Sequence, residues 1–357
     1  MRFKRSAGGS AAPARELENI AADATMRAMF RTMRPFFIAV LCSFAALFAA
    51  AWFYSEQFPN ASRWIWTAAF PAFILETLFY LASVFEKSRE LLAAIPGQAR
   101  KALILWSTAL TPYMVFAAAG HTLQRNAFLL LAGLAAVLTF WNVVLPRRVA
   151  YDAGFLVVAA APFITRVFAR IYRGPVDHFH LDILGHLMWI RLGLLSLILL
   201  RHWDPGPVSL WPRTREWRIG VAWFAVVALP LVAIALTIHD VRFAPIAGPW
   251  WRIALNGIGT FFGILWVVAL GEELFFRGVI ERAFLNLWRS PLPAIVISAL
   301  LYAAAHLWFR NFPDWRHVLV TAVLGLACGS AYLQGGTIRA SMVTHACAVT
   351  AWRLLFK

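Results

Sequence analysis

Two adjacent glutamates and a following arginine, Glu272, Glu273 and Arg277, lie within a long apolar stretch of this chain. Ionisable residues are costly inside a membrane span, and those that occur there usually serve a function. Two histidines, His306 and His345, lie in or at the end of later apolar stretches. A carboxylate and an imidazole can together remove a proton from water and return it to a leaving amine, and a second imidazole can donate to an oxyanion. These residues therefore predict hydrolysis of a peptide bond at membrane depth.

Helical geometry separates the two glutamates. The stretch from Ile253 to about Trp288 is predicted to be one helix, in which neighbouring side chains point about 100° apart. Arg277 follows Glu273 by four residues, the spacing of an ion pair along a helix. We therefore expect Glu273 to pair with Arg277, which leaves Glu272 on another face and available for chemistry.

The depth of each group follows from the rise of 1.5 Å per residue. If Arg282, Pro291 and Arg339 mark the cytoplasmic ends of their helices, Glu272 lies roughly 15 Å deep. His306 then lies roughly 22 Å deep and His345 roughly 9 Å deep. The three side chains are expected to meet in one cavity below the cytoplasmic face.

Zinc is the alternative use of one glutamate and two histidines, because many metalloproteases bind zinc with this ligand set. The zincin motif His-Glu-x-x-His does not occur in the sequence. We expect no metal or other cofactor. In the zinc-dependent alternative, which stays open at this point, the ligands would be Glu272, His306 and His345.

The composition predicts a membrane protein. Of the 357 residues, 61% are hydrophobic and 14% are charged, whereas soluble domains have about one quarter charged residues. The apolar stretches are mostly long enough to cross a bilayer, and no alternating β-barrel pattern occurs. The predicted fold class is an all-α, polytopic transmembrane helical bundle with about 8–11 spans.

The formal charge of +16 reflects basic residues at the ends of apolar stretches. We therefore expect contact with membrane lipid and no nucleic-acid partner. The positive-inside rule places the N-terminus in the cytoplasm, and the Arg-rich, Ala-rich composition indicates a bacterial inner membrane. Arg166, Arg170 and Arg173 depart from the rule, because they follow a stretch whose next loop is predicted to lie outside.

The chain is predicted to divide into four segments. These are a basic cytoplasmic tail (1–35), an N-terminal transmembrane region of unassigned role (36–200), a polar, proline-containing connector (201–218) and a C-terminal transmembrane domain (219–357).

Further polar residues within the spans are expected to be structural. An internal ion-pair network is predicted for Glu76, Asp182, His186 and Arg191. The small-residue pair Gly325 and Gly329 predicts a helix-packing face.

Three motifs in residues 250–355 carry a resemblance. Glu272-Glu273-x-x-x-Arg277, Tyr302-x-x-x-His306 and then His345 occur in this order on successive apolar helices. The pattern resembles the CPBP family, also called ABI, of CAAX prenyl proteases and bacteriocin-processing proteases. The resemblance implies an intramembrane, glutamic-type endopeptidase acting on a protein or peptide with a membrane-associated segment.

The resemblance also implies roles for individual residues. Glu272 and His306 would activate water, and His345 would help to bind the oxyanion. Glu273 and Arg277 would complete the first motif, and Tyr302 would supply the aromatic wall of the second, where the family usually has phenylalanine.

Val349 departs from the family pattern, because the third motif usually has asparagine four residues after its histidine. Valine has no hydrogen-bond donor, and loss of one oxyanion donor typically costs about 2.7–4 kcal/mol of transition-state stabilisation. The alternative function is therefore a non-catalytic membrane scaffold or immunity protein that keeps this fold and binds a partner.

Overall fold

The computed structural model describes residues 12–175, 179, 181–203, 211–288, 290–310 and 312–357. Helices account for nearly all of the described chain, and eight are long and apolar enough to cross a membrane. Two shorter apolar helices accompany them. The prediction of an all-α, polytopic helical bundle with about 8–11 spans is therefore confirmed.

The helices are labelled in chain order. They are α1 Ala12–Gln57, α2 Pro59–Val84, α3 Glu86–Ala93, α4 Gln98–Ala119, α5 Arg125–Val144, α6 Val149–Thr165, α7 Val167–Ile171, α8 Asp182–Leu200, α9 Thr214–Thr237, α10 Trp250–Leu287, α11 Pro291–Ala304, α12 Trp315–Gly335 and α13 Ile338–Leu355.

Successive long helices alternate in direction, so the bundle has two ends. The proximal end holds the start of α9 and of α13, where Arg339 Nη2 lies 2.7 Å from Glu216 Oε1. The distal end holds the turn after α11, where Arg166 Nη2 donates to the Trp308 carbonyl oxygen at 2.8 Å. Phe36 of α1 contacts Phe85 at the proximal end, so α1 enters the bundle from that side.

The C-terminal helices pack closely through two glycines of α12. A Cβ atom on Gly325 would lie 3.0 Å from the Ala299 backbone of α11, and one on Gly329 would lie 2.8 Å from Glu281 Oε2 of α10. A larger residue at 325 would press on the α11 backbone, and one at 329 would displace the Glu281 side chain. The predicted packing face at Gly325 and Gly329 is therefore confirmed.

The N-terminal region packs directly against α10. Ile190 of α8 lies so close to Gly271 that a Cβ atom there would come within 2.7 Å of Ile190 Cδ1. Gly271 immediately precedes Glu272, so α8 limits the position of the first motif.

Two of the predicted segments can be compared with the helix bounds. Helix α1 begins at Ala12 inside the predicted tail and continues to Gln57. Of the predicted connector, residues 204–210 lie outside the described residues, and α9 begins at Thr214.

Candidate functional site

The first motif lies in the middle of α10, which runs without interruption from Trp250 to Leu287. The single long helix predicted for this stretch is therefore confirmed. Its hydrogen bonding changes beside the motif, because Ile264–Ala269 and Leu274–Glu281 are π-helical and Leu270–Glu273 is α-helical. Such π-helical segments within α-helices are frequent at functional sites.

Glu273 and Arg277 form a buried ion pair. Arg277 Nη1 donates to Glu273 Oε1 at 3.1 Å, and both side chains are fully buried. Arg277 Nη2 also donates to the Gly325 carbonyl oxygen at 2.8 Å, and the guanidinium lies 4.8 Å from the centre of the Tyr302 ring. The pairing predicted from the four-residue spacing is confirmed, and the small residue at 325 gives Arg277 access to the α12 backbone.

His345 of α13 lies between the two glutamates. Its Nδ1 is 2.8 Å from Glu273 Oε1, and because a carboxylate only accepts, this nitrogen carries a proton. Its Nε2 faces Glu272 Oε2 at 3.8 Å. The glutamates approach opposite nitrogens of one imidazole, Glu273 completely buried and Glu272 with 32% of its side chain exposed.

His306 lies in the turn after α11, towards the distal end. Its Nδ1 is 2.9 Å from the Tyr302 carbonyl oxygen, which fixes the proton on Nδ1 and leaves Nε2 as an acceptor in the neutral ring. The Tyr302 ring lies 4.8 Å from His306 and 5.9 Å from His345, measured between ring centres. Among the described residues, no hydrogen bond or ion pair joins His306 to Glu272, so Tyr302 is the link between the histidines.

A charged cluster fixes the loop that follows His306. Arg310 forms an ion pair with the buried carboxylate of Asp240 and donates to its carbonyl oxygen at 2.6 Å. Arg310 Nε also donates to Asp314 Oδ2 at 2.8 Å, and Asp314 caps α12 through the His317 amide. Burial opposes ionisation of Asp314, but the hydrogen bond and charge of Arg310 outweigh it and lower the pKa of this carboxyl.

This cluster also reaches His306 through an aromatic contact. Phe309 stacks on His317 with ring centres 4.2 Å apart, and His306 lies 5.8 Å from His317. His317 Nδ1 is 3.3 Å from Asp240 Oδ2. Sequence reasoning missed Asp240, Arg310 and His317, although the four-residue spacing of Arg310 and Asp314 was a visible signal.

Three buried side chains of metal-binding type come together near Arg277, namely Glu273, Cys328 and His345, with ligand atoms within 4.8 Å of one another. The set differs from the predicted zinc ligands Glu272, His306 and His345. A zinc ion would fit poorly among these three, because the Arg277 guanidinium already contacts Glu273 Oε1 and would repel a second cation.

Several polar atoms around Arg277 lack hydrogen-bond partners within the described part of the chain. They are Glu272 Oε2, Glu273 Oε2, Arg277 Nε and both carboxylate oxygens of Glu281. Nearby hydroxyl groups are already used, since Ser298 donates to the Phe276 carbonyl oxygen and Ser341 to that of Ile338. Buried unpaired polar groups are rare in native proteins, and a catalytic role or a bound water molecule is the usual explanation. Glu281 was not singled out from the sequence.

The polar residues of the N-terminal region are arranged differently. Arg191 of α8 binds both oxygens of Glu76 on α2, at 2.6 and 3.1 Å, and also the Thr108 hydroxyl and carbonyl oxygens. Asp182 and His186 form a longer contact of 3.8 Å in the first turn of α8. The prediction of internal ion pairs is confirmed for Glu76 with Arg191.

Val349 lies one turn after His345 on α13. Its side chain is half-buried and packs with apolar residues of α9, α10 and α12. The hydroxyl oxygen of the next residue, Thr350, is buried and has no partner within the described residues. Position 349 therefore contributes packing and no hydrogen-bond donor.

Comparison with known families bears on the same segment. Residues 254–351 match the family model of type II CAAX prenyl endopeptidases, described as Rce1-like. Comparisons with curated proteins and with solved structures give no match. The matched segment contains all three motifs, which confirms the resemblance recognised in the sequence. The C-terminal region of this multi-pass membrane protein is therefore similar to the Rce1-like group of CAAX-type proteases.

Proposed function

We propose that the chain is an intramembrane endopeptidase that cleaves a membrane-associated protein or peptide near the cytoplasmic side. Glu272 is the general base, His306 its partner in activating water, and His345 the donor to the oxyanion. One observation carries the proposal: Glu272 is partly exposed, and its Oε2 has no hydrogen-bond partner within the described residues while lying 3.8 Å from His345 Nε2.

The reaction begins when Glu272 accepts a proton from a water molecule, whose oxygen attacks the scissile carbonyl carbon. His306 assists, because its Nδ1 is engaged by the Tyr302 carbonyl oxygen and its Nε2 can accept from the same water. The side chains of Glu272 and His306 close around the water when substrate binds, since catalytic hydrogen bonds are often long in unliganded sites. Glu272 finally gives the proton to the leaving amine.

Oxyanion binding requires a proton on His345 Nε2. Glu273 accepts from His345 Nδ1 at 2.8 Å and so orients the ring with Nε2 towards Glu272, where a proton on Nε2 would be donated to the oxyanion. Arg277 holds Glu273 in place and is itself fixed by the Gly325 carbonyl oxygen. Glu273 and Arg277 act through His345 and are positioning residues. No step in this sequence requires a metal.

The substrate class follows from the family match and the depth of the site. A CAAX-type tail that ends close to the membrane is one candidate, because His345 lies about 10 Å along α13 from its proximal start. The proximal end is the one that the positive-inside rule assigns to the cytoplasm. The N-terminus is then cytoplasmic, in a bacterial inner membrane.

A non-catalytic scaffold or immunity protein is the second candidate function. Val349 favours it, because an apolar side chain occupies the position where the family usually has an oxyanion donor. Glu272 favours the endopeptidase, since a scaffold has no need for a carboxylate oxygen that lies beside His345 without a hydrogen-bond partner in the described residues.

The test is cleavage by the full chain reconstituted in liposomes. The substrates are a farnesylated CAAX peptide and the same peptide without the lipid, and the products are measured by mass spectrometry. We expect cleavage by the wild type and by the control Glu56→Gln, an exposed glutamate of α1, and none by Glu272→Gln.

The other outcomes separate the alternatives. Cleavage that survives Glu272→Gln contradicts the proposed base. Loss of activity with a chelator, restored by zinc, contradicts the metal-free mechanism. If neither wild type nor variants cleave either peptide, and a partner co-purifies equally with all of them, the scaffold replaces the endopeptidase.

A further inference from the structure

A basic cavity lies at the distal end, beside the turn that carries His306. Its volume is about 480 Å³, and it opens between the end of α6 and the segment that contains Trp308, Arg310 and Phe312. Three arginines and two aromatic side chains form its walls, namely Arg166, Arg170, Arg310, Trp308 and Phe312. We refer to it as the distal basic pocket.

The three arginines differ in how their charge is balanced. Arg310 is neutralised by Asp240 and Asp314. Within the described part of the chain, Arg166 donates to two main-chain carbonyl oxygens, those of Trp308 and Phe309, and to no carboxylate. Arg170 is exposed and forms no ion pair with any residue that the structure describes. The pocket therefore carries two positive charges that these residues do not neutralise.

Arg166 and Arg170 also depart from the expected membrane topology. Arg166 and Arg170 follow α6 at the distal end, where the positive-inside rule predicts few basic residues. Membrane orientation therefore gives no reason for their presence. An anionic ligand does, because each guanidinium offers donors in a planar fork that matches the oxygens of a phosphate.

The place of the pocket identifies the ligand. It lies where the apolar helices α6 and α11 end, which is where a membrane–water boundary is expected, and Trp308 stacks on Phe312 with ring centres 4.5 Å apart. Tryptophan is enriched at this boundary, and basic pockets between transmembrane helices bind lipid head groups. We propose that the distal basic pocket binds the phosphate of an anionic phospholipid, with the adjoining lipid carbons against Trp308 and Phe312.

Lipid binding would also reach the loop beside the catalytic site. Arg166 Nη2 contacts the carbonyl oxygens of Trp308 and Phe309, and the Phe309 amide donates to the His306 carbonyl oxygen at 3.0 Å. A phosphate held by Arg166 and Arg170 therefore stabilises the turn that contains His306. The binding itself does not depend on the proposed proteolysis.

The experiment measures lipid retention by native mass spectrometry. The full chain in detergent is titrated with dioleoyl phosphatidylglycerol, which is anionic, and with the zwitterionic phosphatidylcholine of the same chains. We expect preference for phosphatidylglycerol and about fivefold weaker binding by Arg170→Gln, since one basic residue at a membrane surface contributes about 1 kcal/mol. Arg125→Gln, an exposed arginine at the same end, should bind as the wild type does.

Three results would overturn the proposal. Equal retention of the two lipids shows no head-group selectivity. Equal weakening by Arg170→Gln and Arg125→Gln shows a general charge effect. The third result has two parts. Lipid retention is the same in wild type and Arg170→Gln, and a short peptide displaces bound lipid only when its C-terminal carboxylate is free. That result would assign the pocket to the end of a peptide. Arg170 is exposed, so its replacement leaves the fold intact, and an unchanged melting temperature verifies this.

Discussion

Two buried ion pairs, one in the N-terminal region and one in the C-terminal region, consist of the same residue types but differ in how completely their polar atoms are hydrogen-bonded. Glu76 and Arg191 lie in α2 and α8, and Glu273 and Arg277 lie one turn apart in α10. In the first pair, Arg191 satisfies both oxygens of Glu76 and places its remaining contacts on Thr108. The second pair leaves Glu273 Oε2 and Arg277 Nε without hydrogen-bond partners within the described residues, and an imidazole approaches from outside the pair.

The difference shows that buried charge alone does not identify a functional site. A saturated pair such as Glu76 with Arg191 links three helices and exposes no reactive atom. The unsaturated cluster has an excess of carboxylate over cation, with Glu272, Glu273 and Glu281 around Arg277 and His345. Incomplete pairing has an energetic cost, and we interpret that cost as the sign of chemistry.

The sharpest test of this contrast is Glu272→Gln. The amide keeps the shape of the side chain but cannot accept a proton from water, so the cleavage rate should fall by about 10⁴-fold. The melting temperature should stay within a degree or two of the wild type, because Glu272 Oε2 has no hydrogen bond to lose among the described residues. A large fall in melting temperature would show that Glu272 is structural, as Glu76 is.

Glu76→Gln should lower stability and leave the specific activity unchanged, the reverse of Glu272→Gln. It leaves the Arg191 guanidinium buried without a counter-charge, which typically costs about 3–5 kcal/mol. Denaturant unfolding in detergent, with peptide cleavage measured per folded molecule, checks this. Lost stability with retained specific activity is expected, whereas lost activity in a fully stable variant would make the N-terminal pair part of the site.

Val349→Asn tests whether the cluster lacks only an oxyanion donor. The new amide lies one turn from His345, and the cleavage rate should rise by as much as about 100-fold. Val349→Leu is the matched control, because it fills the same position without a donor. An equal change in both variants would attribute the effect to packing, and no change in either would favour the scaffold.

Asp314→Asn should have the smallest effect of these variants, and the effect should be on stability. The pKa of Asp314 is lowered in the fold from its ordinary value of 3.8, so its ionised form stabilises the folded state above that pH. The stabilisation is lost as the pH falls through the lowered pKa, and the half-exposed Arg310 limits it to about 1 kcal/mol or less. Melting temperatures from pH 7 to pH 3 should converge for the wild type and Asp314→Asn, and a constant difference would contradict the assignment.

Local sequence spacing predicted the local features of the fold. The long helix around Glu272, the ion pair of Glu273 with Arg277 and the packing at Gly325 and Gly329 all follow from helical periodicity. Contacts between segments that are distant in the sequence could not be predicted from helical periodicity. Asp240 meets Arg310 across 70 residues, and Cys328 approaches Glu273 only because α12 packs on α10. The depth estimate placed His306 near Glu272 but had no means to place Tyr302 between the histidines.

The contact between Ile190 and Gly271 has a mechanical consequence. A transmembrane helix changes its tilt when the thickness of the surrounding bilayer changes. Because Ile190 fits against the bare backbone of Gly271, a tilt of α8 pushes on α10 at the residue that precedes Glu272. We therefore expect the thickness of the membrane to influence the geometry around Glu272 through the contact of α8 with α10.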